Sequence, residues 1–258
     1  MSLSTPVPGD HHVQSFARGL AVIRSFSAAA PEQTISEVAT ATNLTRAGAR
    51  RILLTLQGLG YVTVTGRAFR LTAKVLDLGF AYLTSLPMWE LAEPVLQALV
   101  HQVQESSSIA VLEGSDIVYV LRIPTRKIIT INLAVGSRLP AHCTSMGRVM
   151  LAALPPARLE AVIEHAQSLA PSPIDLPQLH RCLDEVRTQG WAMVDEELEP
   201  GLISLAAPVR NTQGEVIAAI NLSSHRSRMS AAKMKRELLP ELSRAAEDIS
   251  HAIRAARR

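Results

Sequence analysis

From residue 15 the apolar positions fall into a helical rhythm. Phe16, Leu20, Ile23 and Phe26 predict a helix over 15–26, and Pro31 separates it from the next element. Thr34-Ile35-Ser36-Glu37 reads as a capping box, the threonine hydroxyl accepting from the Glu37 amide and the glutamate reaching back. It opens a short helix that turns Ile35, Val38 and Ala39 inward and stops near Asn43, a residue type that tolerates the left-handed conformation. Thr45 caps a third helix from Arg46 to about Gly58, with Ile52, Leu53, Leu56 and Leu59 at core spacing. Two helices joined by a short turn make a helix-turn-helix. Tyr61–Val64 and Ala68–Leu71, on either side of Thr65-Gly66-Arg67, predict a β-hairpin with a basic tip, the wing of a winged helix. Ala73, Leu76, Phe80 and Leu83 then mark a linker helix, a candidate dimerisation surface, ending before Pro87.

The remaining two thirds mix strands and helices. Met88 to about Gln104 is amphipathic, and a polar break at Ser106, Ser107 and Ser108 separates it from strands Ile109–Leu112 and Ile117–Ile123. The second strand is nearly all apolar, which predicts a central position covered on both faces. Ile129, Ile131, Leu133 and Val135 alternate as a third strand. Helices follow over Ser145–Ala153, Ala157–Gln167 and Leu179–Thr188, the last ended by Gly190. Strands Trp191–Val194, Ile203–Val209 and Val216–Leu222 come next, and a helix from Ala231 to about Ala255 closes the chain. The pattern predicts an α+β fold with a mainly antiparallel sheet in this second domain. The expected organisation is a disordered tail over 1–13, a winged helix-turn-helix over 14–72, a linker helix over 73–87 and an effector-binding domain over 88–258.

Composition narrows the class. With 258 residues, 47% hydrophobic and 19% charged, the chain has enough apolar content for real cores; aromatics are only 3%, so Ala, Val, Leu and Ile must build them. Cys143 and Cys182 sit in no CxxC or Cys/His cluster, and of the eight histidines only His11 and His12 adjoin, so neither a disulfide framework nor a metal site is expected. No apolar run reaches the ~18 residues of a membrane span, and the polar start offers no signal peptide. A cytoplasmic protein without a cofactor is expected.

Charge is unevenly placed. Residues 1–85 carry eight basic residues against four acidic ones, a net of +4, whereas the remainder holds 18 basic and 19 acidic. A basic N-terminal third on a neutral body suggests a polyanionic partner there. In the third helix Arg46 and Arg50 are four apart, Arg51 lies beside them, and Ala47, Gly48 and Ala49 keep that end slim. A recognition helix needs this form to enter the major groove, although a solvated arginine face has the same pattern. The basic wing tip at Arg67 favours DNA. Thr45, Arg46, Ala47, Arg50, Arg51 and Arg67 are the candidate contacts to double-stranded DNA.

The second domain has no GxSxG, GxGxxG, Walker loop or HExxH. His142-Cys143 invites a thiol-nucleophile reading, but neighbours on an extended segment point to opposite faces, and no catalytic residue is assigned. Ligand binding fits better. Thr144, Ser145, Met146 and Gly147 open a helix with a hydroxyl cap and a small residue, where free amides suit a carboxylate as readily as they make an ordinary N-cap. Asn221 and Ser223 share a strand face, and Ser204 interrupts another apolar strand; sparse polar groups of this kind suggest a pocket. The acidic loop Asp195-Glu196-Glu197 lines or covers it in this reading. Arg122, alone in an apolar strand, either pairs with one of those carboxylates, the preferred reading, or meets an anionic ligand.

With these residues in place, the chain resembles an IclR-type transcriptional regulator over about 14–254. The resemblance rests on seven segments in order: Ser15 to Ile23, Leu44-Thr45-Arg46-Ala47, Leu59-Gly60-Tyr61-Val62, Phe69-Arg70-Leu71-Thr72, Ile117-Val118-Tyr119-Val120, Thr144 to Arg148, and Asp195-Glu196-Glu197 with Gly201-Leu202. The first four are similar to the subgroup that regulates aromatic degradation through the β-ketoadipate pathway. The resemblance implies a GAF-like effector domain, assembly as a homodimer or dimer of dimers, and a small carboxylate effector such as protocatechuate, 4-hydroxybenzoate or β-ketoadipate. It implies a pocket at Thr144–Gly147, the Asp195–Glu197 loop, Ser204, and Asn221 to Ser223; some members carry Cys where this chain has Ser204. In the resulting picture, paired recognition helices read a pseudo-palindromic operator and an acid in the second domain alters their spacing. Two rivals are an enzyme with a winged-helix interaction module and an architectural DNA-binding protein with no effector.

Overall fold

Local signals account for most of the first unit. The computed structural model describes residues 12–84, 88–125 and 133–256. Most of the expected N-terminal tail, and Ile129 and Ile131 of the expected third strand, lie outside the described residues. The chain divides into two units, Met1–Ser85 and Leu86–Arg258, so the linker helix groups with the first.

In the first unit, α1 (Gln14–Ser25), β1 (Glu32–Thr34), α2 (Ile35–Ala41), α3 (Arg46–Gly58), β2 (Val62–Thr65), β3 (Ala68–Leu71) and α4 (Leu76–Thr84) follow in order. The capping box closes at both ends: the Glu37 amide donates to Thr34 Oγ1 at 3.4 Å and the Thr34 amide to Glu37 Oε2 at 2.7 Å. The bond from the Thr34 backbone first, and a second from the Thr34 hydroxyl to the same oxygen, hold the Glu37 carboxyl below its ordinary range. Asn43 makes the left-handed turn at φ 53°. Val22, Phe26, Val38, Ala49, Leu53, Leu56, Val62 and Phe69 form the core. The β1 strand was not foreseen. It pairs antiparallel with β3 on the side away from β2, buries Gln33, and makes the wing part of a three-stranded sheet. Leu59 has core spacing in the sequence but is 55% exposed, and Phe16, in the apolar stripe of α1, is 68% exposed. Helical spacing says which side chains share a stripe and not how far along that stripe a neighbour covers it.

In the second unit α5 (Met88–Val103) leads into β4 (Ser106–Glu113) and β5 (Asp116–Ile123), then β6 (Arg138–Pro140), α6 (Ser145–Ala152), α7 (Pro156–Leu169) and α8 (Leu176–Gln189). The strands β7 (Ala192–Asp195), β8 (Leu202–Arg210) and β9 (Val216–His225) precede α9 (Ala231–Glu237) and α10 (Leu239–Ala256). All six strands form one antiparallel sheet in the order β6-β5-β4-β9-β8-β7. Helices α6, α7 and α8 bury their apolar residues against Ala110, Ile117, Tyr119, Ala206 and Ala219 on the sheet. Helices α5 and α10 pack together and against β4, β5, β8 and β9.

Several expectations change here. Ser106, Ser107 and Ser108 are not a break but the buried start of β4, possible because their hydroxyls find partners; Ser107 Oγ, for example, donates to the Asn221 carbonyl at 2.7 Å. The apolar β5 is second from the edge, with β4 and β9 in the centre. Leu133 and Val135 lie in a loop and turn, where Gly136 at φ 88° redirects the chain into the edge strand β6. The closing helix is broken at Leu238, since Pro240 has no N–H to continue the ladder and its ring crowds the preceding turn.

Candidate functional site

Two sites emerge, one in each unit. In the first, the Thr45 hydroxyl accepts from the Gly48 amide at 3.1 Å and fixes where α3 begins. Helical geometry then sends Ala49, Leu53 and Leu56 into the core and leaves Arg46, Ala47, Arg50 and Arg51 exposed. Arg46 is also tied back to α2, its Nε donating to Ser36 Oγ at 2.9 Å, so the angle between the two helices of the motif is held from the exposed side. Leu54 is exposed on the same face as Ala47 and Arg50, a residue that the core-spacing reading passed over. Its position one turn beyond Arg50 was the available signal. The wing turns at Gly66, φ 63°, and carries Arg67 at its exposed tip. These groups are guanidinium donors and small apolar surfaces on a slim helix end and a hairpin tip.

In the second unit a narrow cavity of about 30 Å³, open to solvent at its mouth, lies between the sheet and the start of α6. It is lined by Arg122, Thr144, Ser145, Met146, Ser204, Asn221 and Ser223 from the expected set, together with Tyr119, Cys143, Leu133, Leu198 and Leu202. Register explains the convergence. Arg122 pairs with Ser108, Ser108 with Asn221, and Asn221 with Ala206, a single row across β5, β4, β9 and β8. Ser223 pairs with Ser204 one step along. On the same face the small side chains Ala110, Ala206 and Ala219 are covered by the helix layer, beside the cavity and not in its lining.

The polar groups form one connected path. Arg122 Nη1 donates to Ser108 Oγ at 3.4 Å, and the Ser108 amide donates to Asn221 Oδ1 at 3.0 Å. Asn221 Nδ2 donates to Ser223 Oγ at 2.9 Å and Ser204 Oγ at 3.2 Å, and the Ser204 and Ser145 hydroxyls lie 2.7 Å apart. Thr144 Oγ1 accepts the Gly147 amide at 3.2 Å as the N-cap of α6. Burial raises the Tyr119 phenol to about 12, against a smaller lowering by Arg122, so this wall offers a neutral hydroxyl.

The preferred pairing of Arg122 with an acidic loop is overturned. Among the described residues no carboxylate lies within salt-bridge distance of it, because the three acids are engaged elsewhere. Asp195 lies 3.2 Å from Arg226, Glu196 accepts the Gly201 amide at 2.6 Å, and Glu197 takes a fork from Arg148. For the same reason Asp195 and Glu196 do not line the cavity; Leu198 and Leu202 of that loop do, and their value was hidden because apolar residues beside three acids read as filler. Gly147 does not line it either. A Cβ there would lie 2.1 Å from the Ala141 carbonyl oxygen, so glycine lets the turn before α6 pack onto the helix. Cys143 is half-buried, and burial, the largest cause, raises its thiol, which opposes a nucleophilic role. Among the described residues no cluster of His, Cys, Asp or Glu is placed to hold a metal, and no helix is long and apolar enough to cross a membrane.

The chain matches two family models, the IclR helix-turn-helix domain over residues 15–66 and the bacterial transcriptional regulator IclR C-terminal domain over 80–251. It is 42% identical to the Pca regulon regulatory protein of Pseudomonas putida, over 92% of this chain and 83% of that one. It is 32% identical to the p-hydroxybenzoate hydroxylase transcriptional activator of Acinetobacter baylyi, over 97% and 95%. Among solved structures, a Rhodococcus sp. RHA1 protein described as a transcriptional regulator is 46% identical with a TM-score of 0.84, over 96% of this chain and all of that one. An IclR homologue from Microbacterium hydrocarbonoxydans, in complex with 4-hydroxybenzoate, shares the fold at 23% identity and a TM-score of 0.79, over 93% and 99%.

Proposed function

The chain belongs to the IclR family of bacterial transcriptional regulators, and from that membership we propose that its DNA binding is controlled by a small aromatic carboxylate held in the cavity between α6 and the sheet. The observation that carries the reading is Arg122. It is a guanidinium facing a half-apolar pocket; among the described residues its hydrogen bond goes to a neutral serine, and the nearby acids are committed to other arginines. Such a group favours an anionic guest. The cavity as it stands has room for a water or two, so the acid enters by displacing its walls. Its carboxylate then lies against Arg122, the ring against Leu133, Leu198 and Leu202, and a ring hydroxyl reaches the Ser145–Ser204–Asn221–Ser223 path, with the α6 amides at that end.

Protocatechuate and 4-hydroxybenzoate have this form. The relatives' names, a Pca regulon regulator and an activator of p-hydroxybenzoate hydroxylase, and the fold neighbour that holds 4-hydroxybenzoate support the class. These regulators weigh against the enzyme reading. In the first unit Arg50 and Ala47 read base edges in the major groove, Arg46 sets the helix pair, and Arg51 and Arg67 hold phosphates. A homodimer in the bacterial cytoplasm brings two such heads to a pseudo-palindrome, joined through exposed apolar surface that includes Phe16, Leu59, Leu76 and Phe80 of this unit.

The test is fluorescence anisotropy at one salt concentration, with the DNA upstream of the gene against scrambled DNA, with and without each acid. Specific binding that changes with an acid is expected for the wild type, and Arg122→Gln keeps the DNA preference but loses the response. Specific binding by wild type that ignores every acid would overturn the effector reading.

A further inference from the structure

One wall of the pocket is a loop whose middle is tied to the rest of the unit by a side-chain pair. Between β7 and β8 the chain passes through residues 196–201, bracketed by two left-handed residues, Glu196 at φ 60° and Gly201 at φ 81°. Leu198 inside the loop and Leu202 at its end face the pocket beside Val194. Glu197 faces the neighbouring cleft, where its two carboxylate oxygens accept from Arg148 Nη1 and Nη2 at 2.8 and 2.5 Å.

Arg148 completes the connection with its third nitrogen, Nε donating to the His142 carbonyl at 3.0 Å. One guanidinium therefore joins three walls of the pocket: α6, which begins at Ser145 and Met146, the turn that carries Cys143, and the loop that carries Leu198. The remaining contacts of the loop act at its ends. Arg226 lies against Asp195 and Glu196 and donates its amide to the Gly201 carbonyl at 2.8 Å, and the Glu196 carboxylate accepts the Gly201 amide. The two partners of the fork differ in burial, the Arg148 side chain being 8% exposed and that of Glu197 45%. Glu197 is on the solvent side of the pair, and the Arg148 contact with the His142 carbonyl is independent of the fork. A bidentate pair also fixes geometry, which a single hydrogen bond does not.

We propose that the Arg148–Glu197 fork is a latch that holds the 196–201 loop, and with it Leu198, closed over the bound acid. Arg148 and Glu197 are positioning residues for the effector, acting through the loop without touching the ligand. The latch as an effector device rests on the pocket reading above.

Two measurements on the full chain test it. Hydrogen–deuterium exchange of the ligand-free protein follows residues 196–201, and stopped-flow displacement follows protocatechuate release. Glu197→Gln keeps the side-chain shape and removes the charge. It is expected to speed exchange in the loop while α10 keeps its protection, and to release protocatechuate about tenfold faster, since loss of a charged pair appears chiefly in the off-rate. Leu198→Ala leaves the fork intact and is expected to speed release with loop exchange unchanged. A merely structural role for Glu197 would instead loosen α10 along with the loop, and that outcome overturns the latch. Loop exchange in Glu197→Gln equal to wild type, or release at the wild-type rate from a loosened loop, would overturn it as well. If the wild type binds neither protocatechuate nor 4-hydroxybenzoate, the effector reading fails, and with it the latch's role toward an effector; faster loop exchange in Glu197→Gln then upholds the fork as the clasp of the loop and unchanged exchange refutes it.

Discussion

The hydroxyl oxygens of Ser145 and Ser204 lie 2.7 Å apart, joining the first turn of α6 to β8 across 59 residues of sequence. Both serines are buried, and Asn221 Nδ2 donates to the same Ser204 oxygen. This contact makes the helix start and the sheet face into one pocket wall instead of two adjoining surfaces.

Replacing Ser204 by Ala leaves Ser145 without that partner and Asn221 with one fewer acceptor. The expected cost is about 1–3 kcal/mol in the stability of the second unit, the usual penalty for a buried polar group left unmatched. In the proposed pose affinity for protocatechuate should fall as well, because the hydroxyl path assigned to the ring hydroxyl is cut. Calorimetric unfolding and titration calorimetry read the two effects separately. An unchanged affinity would move the ring hydroxyl away from Ser204.

Under the proposed reading, Arg67 and Arg50 should behave differently. Arg67, at the tip of the wing turn, has the placement of a phosphate contact; Arg67→Ala is expected to weaken binding alike on all sequences and to lower the salt slope by about 1. Arg50, on the slim exposed face of α3, has the placement of a base reader, and Arg50→Ala should cost about 1–3 kcal/mol on the operator and little on scrambled DNA. Anisotropy titrations over a salt series distinguish them. Equal losses on both DNAs for Arg50→Ala would make it a second phosphate contact.

His142 supplies a pH dependence. Burial, and secondarily Arg148, lowers its pKa from 6.5, and its Nδ1 is buried with no hydrogen-bond partner among the described residues. The unfolded chain therefore takes up this proton at higher pH than the folded one. The stability that the neutral ring contributes is fully present above 6.5 and is lost as pH falls through the lower folded value. Unfolding by calorimetry at pH 7.5 and 5.5 should show a smaller loss in His142→Asn than in wild type. A loss of equal size in both proteins would assign the acid sensitivity to other groups.

The recognition unit was largely legible in the sequence because its signals are local. The Thr34–Glu37 box, the Thr45 and Thr144 caps and the left-handed Asn43 and Gly190 each involve residues within one helical turn, so the chain carries them wherever it goes. The alternation of β8 and β9 likewise showed that Ser204 and Ser223 interrupt apolar strands. What sequence could not supply was the identity of the neighbour across a strand. Strand order put Ser108 between Arg122 and Asn221, and with the acids held elsewhere this left the arginine to the pocket.

The same limit applies to the loop and the glycine. Three consecutive acids look alike as charge, yet the 195–201 turn hands Asp195 to Arg226, Glu196 to its own Gly201 amide and Glu197 to Arg148, while Leu198 goes inward. Gly147 read as a small residue near a helix start; only the packed turn shows that a side chain there would meet the Ala141 carbonyl. By itself, then, the sequence determined the helices, the wing, the α+β class and the polar positions within apolar strands, because periodicity and capping act within a few residues. The tertiary structure decided which of those polar groups meet, because hydrogen bonds and charge pairs reach only a few ångströms, and strand register chooses what lies within that reach.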